Sequence, residues 1–164
     1  MSQAMAALFQ RITTGVYIVG VADSTRHNAF TAAWVMPVSF QPLLLALSIN
    51  PRHSSYALLQ AGKGFTVNVL RRDQIALAAH FGGPNQGNKL DAVSWHLSAN
   101  GLPLLDDVAA HFECELSAEH PAGDHSLIVG RVINGCLLQP EAKLLGYQHT
   151  GDLDGASKIF PATF

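Results

Sequence analysis

The amino-acid sequence predicts a mainly β, α+β fold: an antiparallel barrel with a few peripheral helices. Three observations lead there. Strand-like segments outnumber helical ones. Short turns join most of them, which argues against a doubly wound parallel sheet with its helical crossovers. Late in the chain, residues 111–119 and 126–138 read as two long strands meeting at the turn His120-Pro121-Ala122-Gly123-Asp124-His125. The 164 residues hold no internal repeat, low-complexity tract or linker, so residues 1–164 are expected to form one domain.

The elements follow in order. Met5, Leu8, Phe9 and Ile12 recur at helical spacing and predict a short amphipathic helix over 4–12, ended by Gly15. Val16 to Val21 reads as a strand, with a turn at Asp23-Ser24-Thr25. A second strand is expected over 27–34 and a third, fully buried, over Leu43 to Ile49, stopped by Asn50-Pro51. Ser54 or Ser55 is placed to cap a helix that runs to Ala61-Gly62. Phe65 to Leu70 is a further strand, and Asp73 is expected to cap a helix through about His80. Gly82 to Asn88 is too rich in breakers for regular structure. The hairpin should bring Cys114 and Cys136 to roughly one level, and a short strand near Leu144 to Gln148 closes the set.

Composition narrows the setting. Hydrophobic residues make up 48% and charged residues 13%, with mean hydropathy +0.18. No apolar run approaches the roughly 18 residues a membrane helix requires. The apolar excess therefore points to a subunit interface, and a homodimer is expected. Net charge is −2 with ten scattered Lys and Arg, which argues against a nucleic-acid partner and its need for a basic stripe. The N-terminus lacks the pattern of a secretory signal. Two cysteines, read as free thiols in apolar strand patterns, fit a reducing, cytoplasmic compartment.

Eight histidines invite a metal, but none is paired at ligand spacing, and Asp152-Leu153-Asp154-Gly155 lacks the further acids of a calcium loop. No metal is expected. The Gly82–Asn88 loop is neither a phosphate-binding P-loop nor a dinucleotide fingerprint, and reads either as a surface loop or as a lid over a ligand. No nucleophile elbow occurs. Two anion-friendly elements are left. Arg52-His53-Ser54-Ser55 opens a helix and is either a plain N-cap or a phosphate cradle. Gly123-Asp124-His125 sets a titratable imidazole beside a carboxylate, either for turn geometry alone or for binding and proton handling.

Taken in order, several segments resemble one family. They are Phe9 to Val19, Phe30-Thr31-Ala32-Ala33-Trp34, Val38 to Leu43, Asn50 to Leu59, Phe65 to Leu70, His80-Phe81 with Lys89, and Ala122-Gly123-Asp124-His125 through Val132. Together they span about residues 8 to 148 and are similar to the flavin reductase-like family of FMN-binding split barrels. That family includes the small reductase components of two-component flavin monooxygenases. The resemblance implies a Greek-key split β-barrel that binds FMN or FAD, uses NADH or NADPH, and hands reduced flavin to a partner monooxygenase. A tightly FMN-binding electron carrier of flavoredoxin type is the alternative it leaves open.

The resemblance also implies roles for individual residues. Thr31, Ala32, Ala33 and Trp34 would line the isoalloxazine, with Ser48 and Asn50 beside it. Ser54, Ser55 and Lys89 would lie near the phosphate. Asn68, Phe81 and Asp124 complete the cofactor-binding set, and His125 would serve as the catalytic residue that receives the nicotinamide. Four departures stand out: His53 where many relatives carry Ser or Arg, Trp34 where Ser is frequent, Arg131 in place of an acid, and a divergent tail beyond Tyr147.

Overall fold

The computed structural model describes residues 2–84 and 86–163, with side chains from Ala4 onward. Helix α1 (Ser2–Phe9) leads into strands β1 (Tyr17–Ala22), β2 (His27–Ala32), β3 (Val35–Ser39) and β4 (Leu44–Ile49). Helix α2 (Tyr56–Gly62), strand β5 (Gly64–Val69) and helix α3 (Ile75–Gly82) follow. The short pair β6 (Trp95–Leu97) and β7 (Pro103–Leu105) precedes the long hairpin β8 (Ala110–Ala122) and β9 (His125–Leu137), and α4 (Ala156–Ile159) comes last.

Seven strands form one sheet in the order β2-β1-β5-β8-β9-β4-β3, with every neighbour pair antiparallel. The two edge strands are consecutive in the chain, separated only by Ala33 and Trp34. Three Cα steps reach at most about 11 Å. The sheet must therefore roll until its edges meet at that corner, although no ladder joins them. The result is a split barrel, rolled but not closed by hydrogen bonds.

Alternation along the strands divides the core in two. Val19 and Val21 of β1, Phe30 of β2, Leu47 of β4, Phe65 and Val67 of β5 and Ile128 of β9 fill the inside of the roll, with Leu58 and Leu59 of α2 plugging it. On the outer face Ile18, Ala29 and Leu70 pack under Ala78 and Phe81 of α3, with Leu90, Leu105 and Tyr147. Gly20 is required where β7 crosses β1, because a Cβ there would lie 2.5 Å from the Pro103 carbonyl oxygen. Gly123 has φ +66° in a two-residue turn, so the hairpin closes as tightly as a glycine-led turn allows.

Several expectations need correction. The first helix begins and ends earlier than 4–12. Strand 27–34 breaks at Ala32, and β3 was not foreseen as a separate element because Pro37 and exposed Met36 and Val38 disguise an edge strand. Leu43 to Ile49 is not fully buried: Leu43 is exposed, and Leu44 and Leu45 are half-buried at the split. Gln74, not Asp73, occupies the N-cap of α3, while Asp73 accepts a hydrogen bond from Arg71 Nε at 3.1 Å. The 120–125 turn shrinks to Gly123-Asp124. Cys114 lies opposite Val132 and Cys136 opposite His111, so the thiols are not level: one is buried, the other exposed. The 144–148 segment makes only isolated bridges, Arg71 with Leu144 and Gly15 with Gly146, before a 3-10 turn at Tyr147–His149.

Candidate active site

The corner between the sheet's two edges organises the site. Thr31 Oγ1 donates to Ala78 O at 2.6 Å, clipping β2 to α3. Ser48 N donates to Trp34 O at 2.9 Å, which extends the β3–β4 ladder by one step and fixes the Trp34 backbone. Three cavities border Thr31–Trp34, the first two meeting at Thr31 and Gly82 and the last two at Tyr147. A polar one of about 240 Å³ is lined by Phe30, Thr31, His53, Ser54, the end of α3 and Lys89. A smaller one of about 160 Å³ touches Thr31, Ala32, Ala33, Gly82, Tyr147 and Asp154. An apolar one of about 330 Å³ is walled by Phe9, Ile12, Trp34, Ser48, Leu127 and Tyr147. The outcome is a groove with a polar end, an apolar end and backbone between them.

Lys89 anchors the polar end. It is buried, and its ammonium donates to Phe81 O at 3.0 Å and Gly83 O at 2.5 Å, satisfying carbonyls that the C-terminus of α3 leaves open. Burial lowers its pKa, and the third ammonium proton is left for another acceptor. Asn88 caps the 3-10 turn that carries Lys89 by accepting from Leu90 N at 3.2 Å. His53 rests on the Phe30 ring, centroids 4.6 Å apart, and its Nδ1 accepts from Ser55 N at 3.1 Å. Desolvation on its packed side, and then the nearby Lys89 charge, lower its pKa.

At the other end His125, the first residue of β9, places Nδ1 2.7 Å from Asp124 Oδ1. Its ring packs against Trp34, centroids 5.1 Å apart and planes 44° tilted. The hydrogen bond to His125 holds the Asp124 carboxyl below the usual range, and the Arg52 charge adds to this.

Not every expected residue reaches the groove. Ser55 is fully buried, and its Oγ accepts from Asn28 Nδ2 at 2.8 Å, so the neighbouring Ser54 faces the polar cavity instead. Asn50 Oδ1 accepts from Arg52 N at 2.9 Å and shapes the loop that presents His53. Phe81 is buried in the outer core and borders the polar cavity. Asn68 is buried elsewhere: its Nδ2 donates to Ile18 O and its Oδ1 accepts from Leu105 N, both at 2.9 Å. Its amide ties β5 to β1 and β7. Conversely, Phe9, Ile12, Leu127 and Tyr147 line the apolar end without having been singled out. Tyr147 had no local signal, because it arrives only when the tail folds back: α1 packs on α4, and Phe9 meets Phe160 at 4.7 Å.

The family model described as flavin reductase like domain matches residues 9–153. The FMN reductase (NADH) SmoA of Agrobacterium fabrum is 32% identical over 74% of this chain and 68% of its own length. The reductase subunit HsaB of a flavin-dependent monooxygenase from Rhodococcus jostii is 31% identical over 84% of this chain and 71% of its own. Two further curated relatives, at 33% and 34% identity, are longer, and the chain spans 62% and 42% of their lengths. Among solved structures, the NADH:FAD oxidoreductase SgcE6 of Streptomyces globisporus, in complex with NAD and FAD fragments, superposes with TM-score 0.82 at 28% identity, covering 89% of this chain and 87% of that one.

Proposed function

We propose, from the premise that this chain belongs to the flavin reductase-like domain family, that it reduces FMN or FAD with NADH or NADPH and supplies the product to a partner monooxygenase. The observation that carries the reading is the two-ended groove at the Thr31–Trp34 corner. A flavin mononucleotide moiety has a dianionic phosphate and a flat, mostly apolar ring. The donor set matches that division: Lys89, Ser54 and the His53 loop at one end, and Trp34, Ser48 and Leu127 at the other. When bound, the flavin supplies an acceptor for a hydride from the nicotinamide.

The protein's own part is positioning and electrostatics. Lys89 offers its remaining proton to a phosphate oxygen, a charge-assisted contact on a desolvated ammonium. Thr31, Ala32 and Ala33 present backbone between the two ends. Trp34, Phe9 and Ile12 wall the apolar end. His125, held by Asp124, orients the nicotinamide. The Agrobacterium relative is an FMN reductase (NADH), and the Rhodococcus one is the reductase subunit of a flavin-dependent monooxygenase, which favours both parts of the reading.

The same reading makes the chain a homodimer. Phe40 is 95% exposed, and Met36, Val38 and Leu43 stand exposed beside it along an apolar groove of about 800 Å³. Light scattering on the purified protein should give twice the chain mass. Among the described residues no helix is long and apolar enough to cross a membrane, and the two free cysteines suit a cytoplasmic setting.

The deciding experiment is rapid mixing of the flavin-loaded protein with NADH or NADPH. Bleaching of the flavin band well above the free-flavin rate is the expected result. No acceleration would sink the reading, and reduction only by a protein donor would make the chain an electron carrier.

A further inference from the structure

His125 sits one residue beyond a two-residue turn, where a β-hairpin is least constrained, yet the functional reading asks it to hold a defined orientation. Its bond to Asp124 holds it weakly, because that carboxylate is 82% exposed and water and salt compete for it. The other contact is Trp34, whose backbone is fixed three ways. Ala32 ends β2 before it, Val35 begins β3 after it, and its carbonyl takes the Ser48 amide. The Trp34 backbone is thus held on both sides, and the His125 side chain, 24% exposed, lies against its indole. The indole is also 42% exposed, and it forms a wall of the apolar cavity, so it stands where the groove and the hairpin tip meet.

We propose that Trp34 is a positioning residue: its indole is the platform that fixes the His125 imidazole toward the nicotinamide side of the groove. This rests on the reading of His125 given above. The indole is a broad aromatic face, and the imidazole packs on it. An aromatic pair in this geometry adds stabilisation beyond its buried area, and a tilted arrangement near 5 Å falls within the favoured range. Replacing the indole should free the imidazole without touching Lys89, His53 or Ser54.

The test uses the full chain with FMN and follows NADH oxidation in four variants: Trp34→Ser, Trp34→Phe, His125→Ala and the Trp34→Ser/His125→Ala double variant. Trp34→Ser should raise KM for NADH about three- to ten-fold, and because the indole also walls the ring end of the groove it should weaken FMN as well, but by a smaller factor than the NADH loss. Trp34→Phe, which keeps a ring face, should recover most of the loss. The double variant should be no worse than His125→Ala alone, because the two residues act as one unit. A second readout is independent of turnover. The chain has two tryptophans. In a Trp95→Phe background without flavin, acrylamide should quench Trp34 emission more strongly once His125→Ala uncovers the indole face on which the imidazole packs, and equal quenching in the two proteins would overturn the contact.

Losses in Trp34→Ser and His125→Ala that multiply in the double variant would overturn the proposal. So would an unchanged KM in Trp34→Ser, or equal losses of FMN affinity and NADH affinity. If His125→Ala itself leaves KM for NADH unchanged, the functional reading of the site fails, and the role of Trp34 with it. If His125→Ala acts and Trp34→Ser does not, only the positioning role falls.

Discussion

Two histidines stand at opposite ends of one groove, and their surroundings differ more than their geometry. His53 packs on Phe30 at 4.6 Å and 44°, and His125 packs on Trp34 at 5.1 Å and 44°. The aromatic contact is therefore nearly the same. The difference lies at Nδ1, which in His53 accepts a backbone N–H and in His125 faces a carboxylate. Partial desolvation and then the Lys89 charge lower the His53 pKa, as suits a wall beside an ammonium reserved for an anion. His125 has a counter-charge at its side, as suits a ring that must stay oriented while a ligand comes and goes. The same side chain is a wall at one end and a steered contact at the other, and the groups around each ring make the difference.

The largest expected effect breaks the comparison at the polar end. Lys89→Ala removes the donor for the Phe81 and Gly83 carbonyls while leaving both in place. An orphaned buried acceptor costs about 1–3 kcal/mol, and for a chain of this length that lowers Tm by roughly 2–10 °C. FMN affinity should fall about ten-fold as well, since a charged contact to phosphate is lost. KM for NADH under saturating flavin should stay within about two-fold. A thermal melt and a flavin titration check both statements, and an NADH defect equal to the flavin defect would erase the distinction between the two ends.

A crossed pair of substitutions sharpens it. His125→Ala should raise KM for NADH about ten-fold with little change in FMN affinity. His53→Ala should do the reverse, weakening FMN about three-fold and sparing KM. Both constants come from the same flavin titration and steady-state assay. Should both variants shift the same constant, the ends are not separate sites.

Acid gives a third, smaller effect, and its sign follows from the environment of His53. The folded pKa lies below the unfolded value of about 6.5, so near that pH the folded chain binds fewer protons than the unfolded one. Stability from this group is therefore complete above about pH 6.5 and is lost as pH falls through the lowered folded pKa. Urea unfolding at pH 7.5, 6 and 5 should show a steeper acid loss in the natural chain than in His53→Gln. Equal slopes would mean that desolvation at this ring is not felt.

How much of this was legible beforehand depends on which residues carry their signal locally. The Val16–Val21 strand, the helix after Ser55 and the long hairpin were readable because alternation and breakers lie within each segment. The edge strand β3 was not. It is exposed on three of its five residues, and Pro37 argues against a strand, so its hydrophobic pattern does not follow a buried core. At the site, Thr31–Trp34, Lys89 and the Asp124–His125 pair were named by resemblance, and the fold gathers them at one corner or beside it. Ser55 and Asn68 were named too, but a residue type does not reveal which way a hydroxyl or amide points. One turns to Asn28 and the other into the β1–β5–β7 contact. Tyr147 was invisible as a wall of the groove because its place depends on a tail that returns from more than one hundred positions away, with Gln10 donating to Gly151 O.

Asp124→Asn carries the smallest effect and the finest discrimination. The carboxylate and the indole both touch His125, but only the carboxylate is charged, and it is largely in water. A contact to an exposed carboxylate is worth at most about 1 kcal/mol, so the isosteric amide should raise KM for NADH no more than about two- to three-fold. The loss should shrink further as salt rises, because screening has already weakened the natural pair under those conditions. The Trp34→Ser loss should not shrink, since packing is insensitive to ionic strength. Steady-state assays at low and high salt separate the two contacts of a single ring. If Asp124→Asn proves the costlier change and stays so in high salt, the imidazole is steered from the hairpin turn, and the rigid corner of the sheet is a bystander.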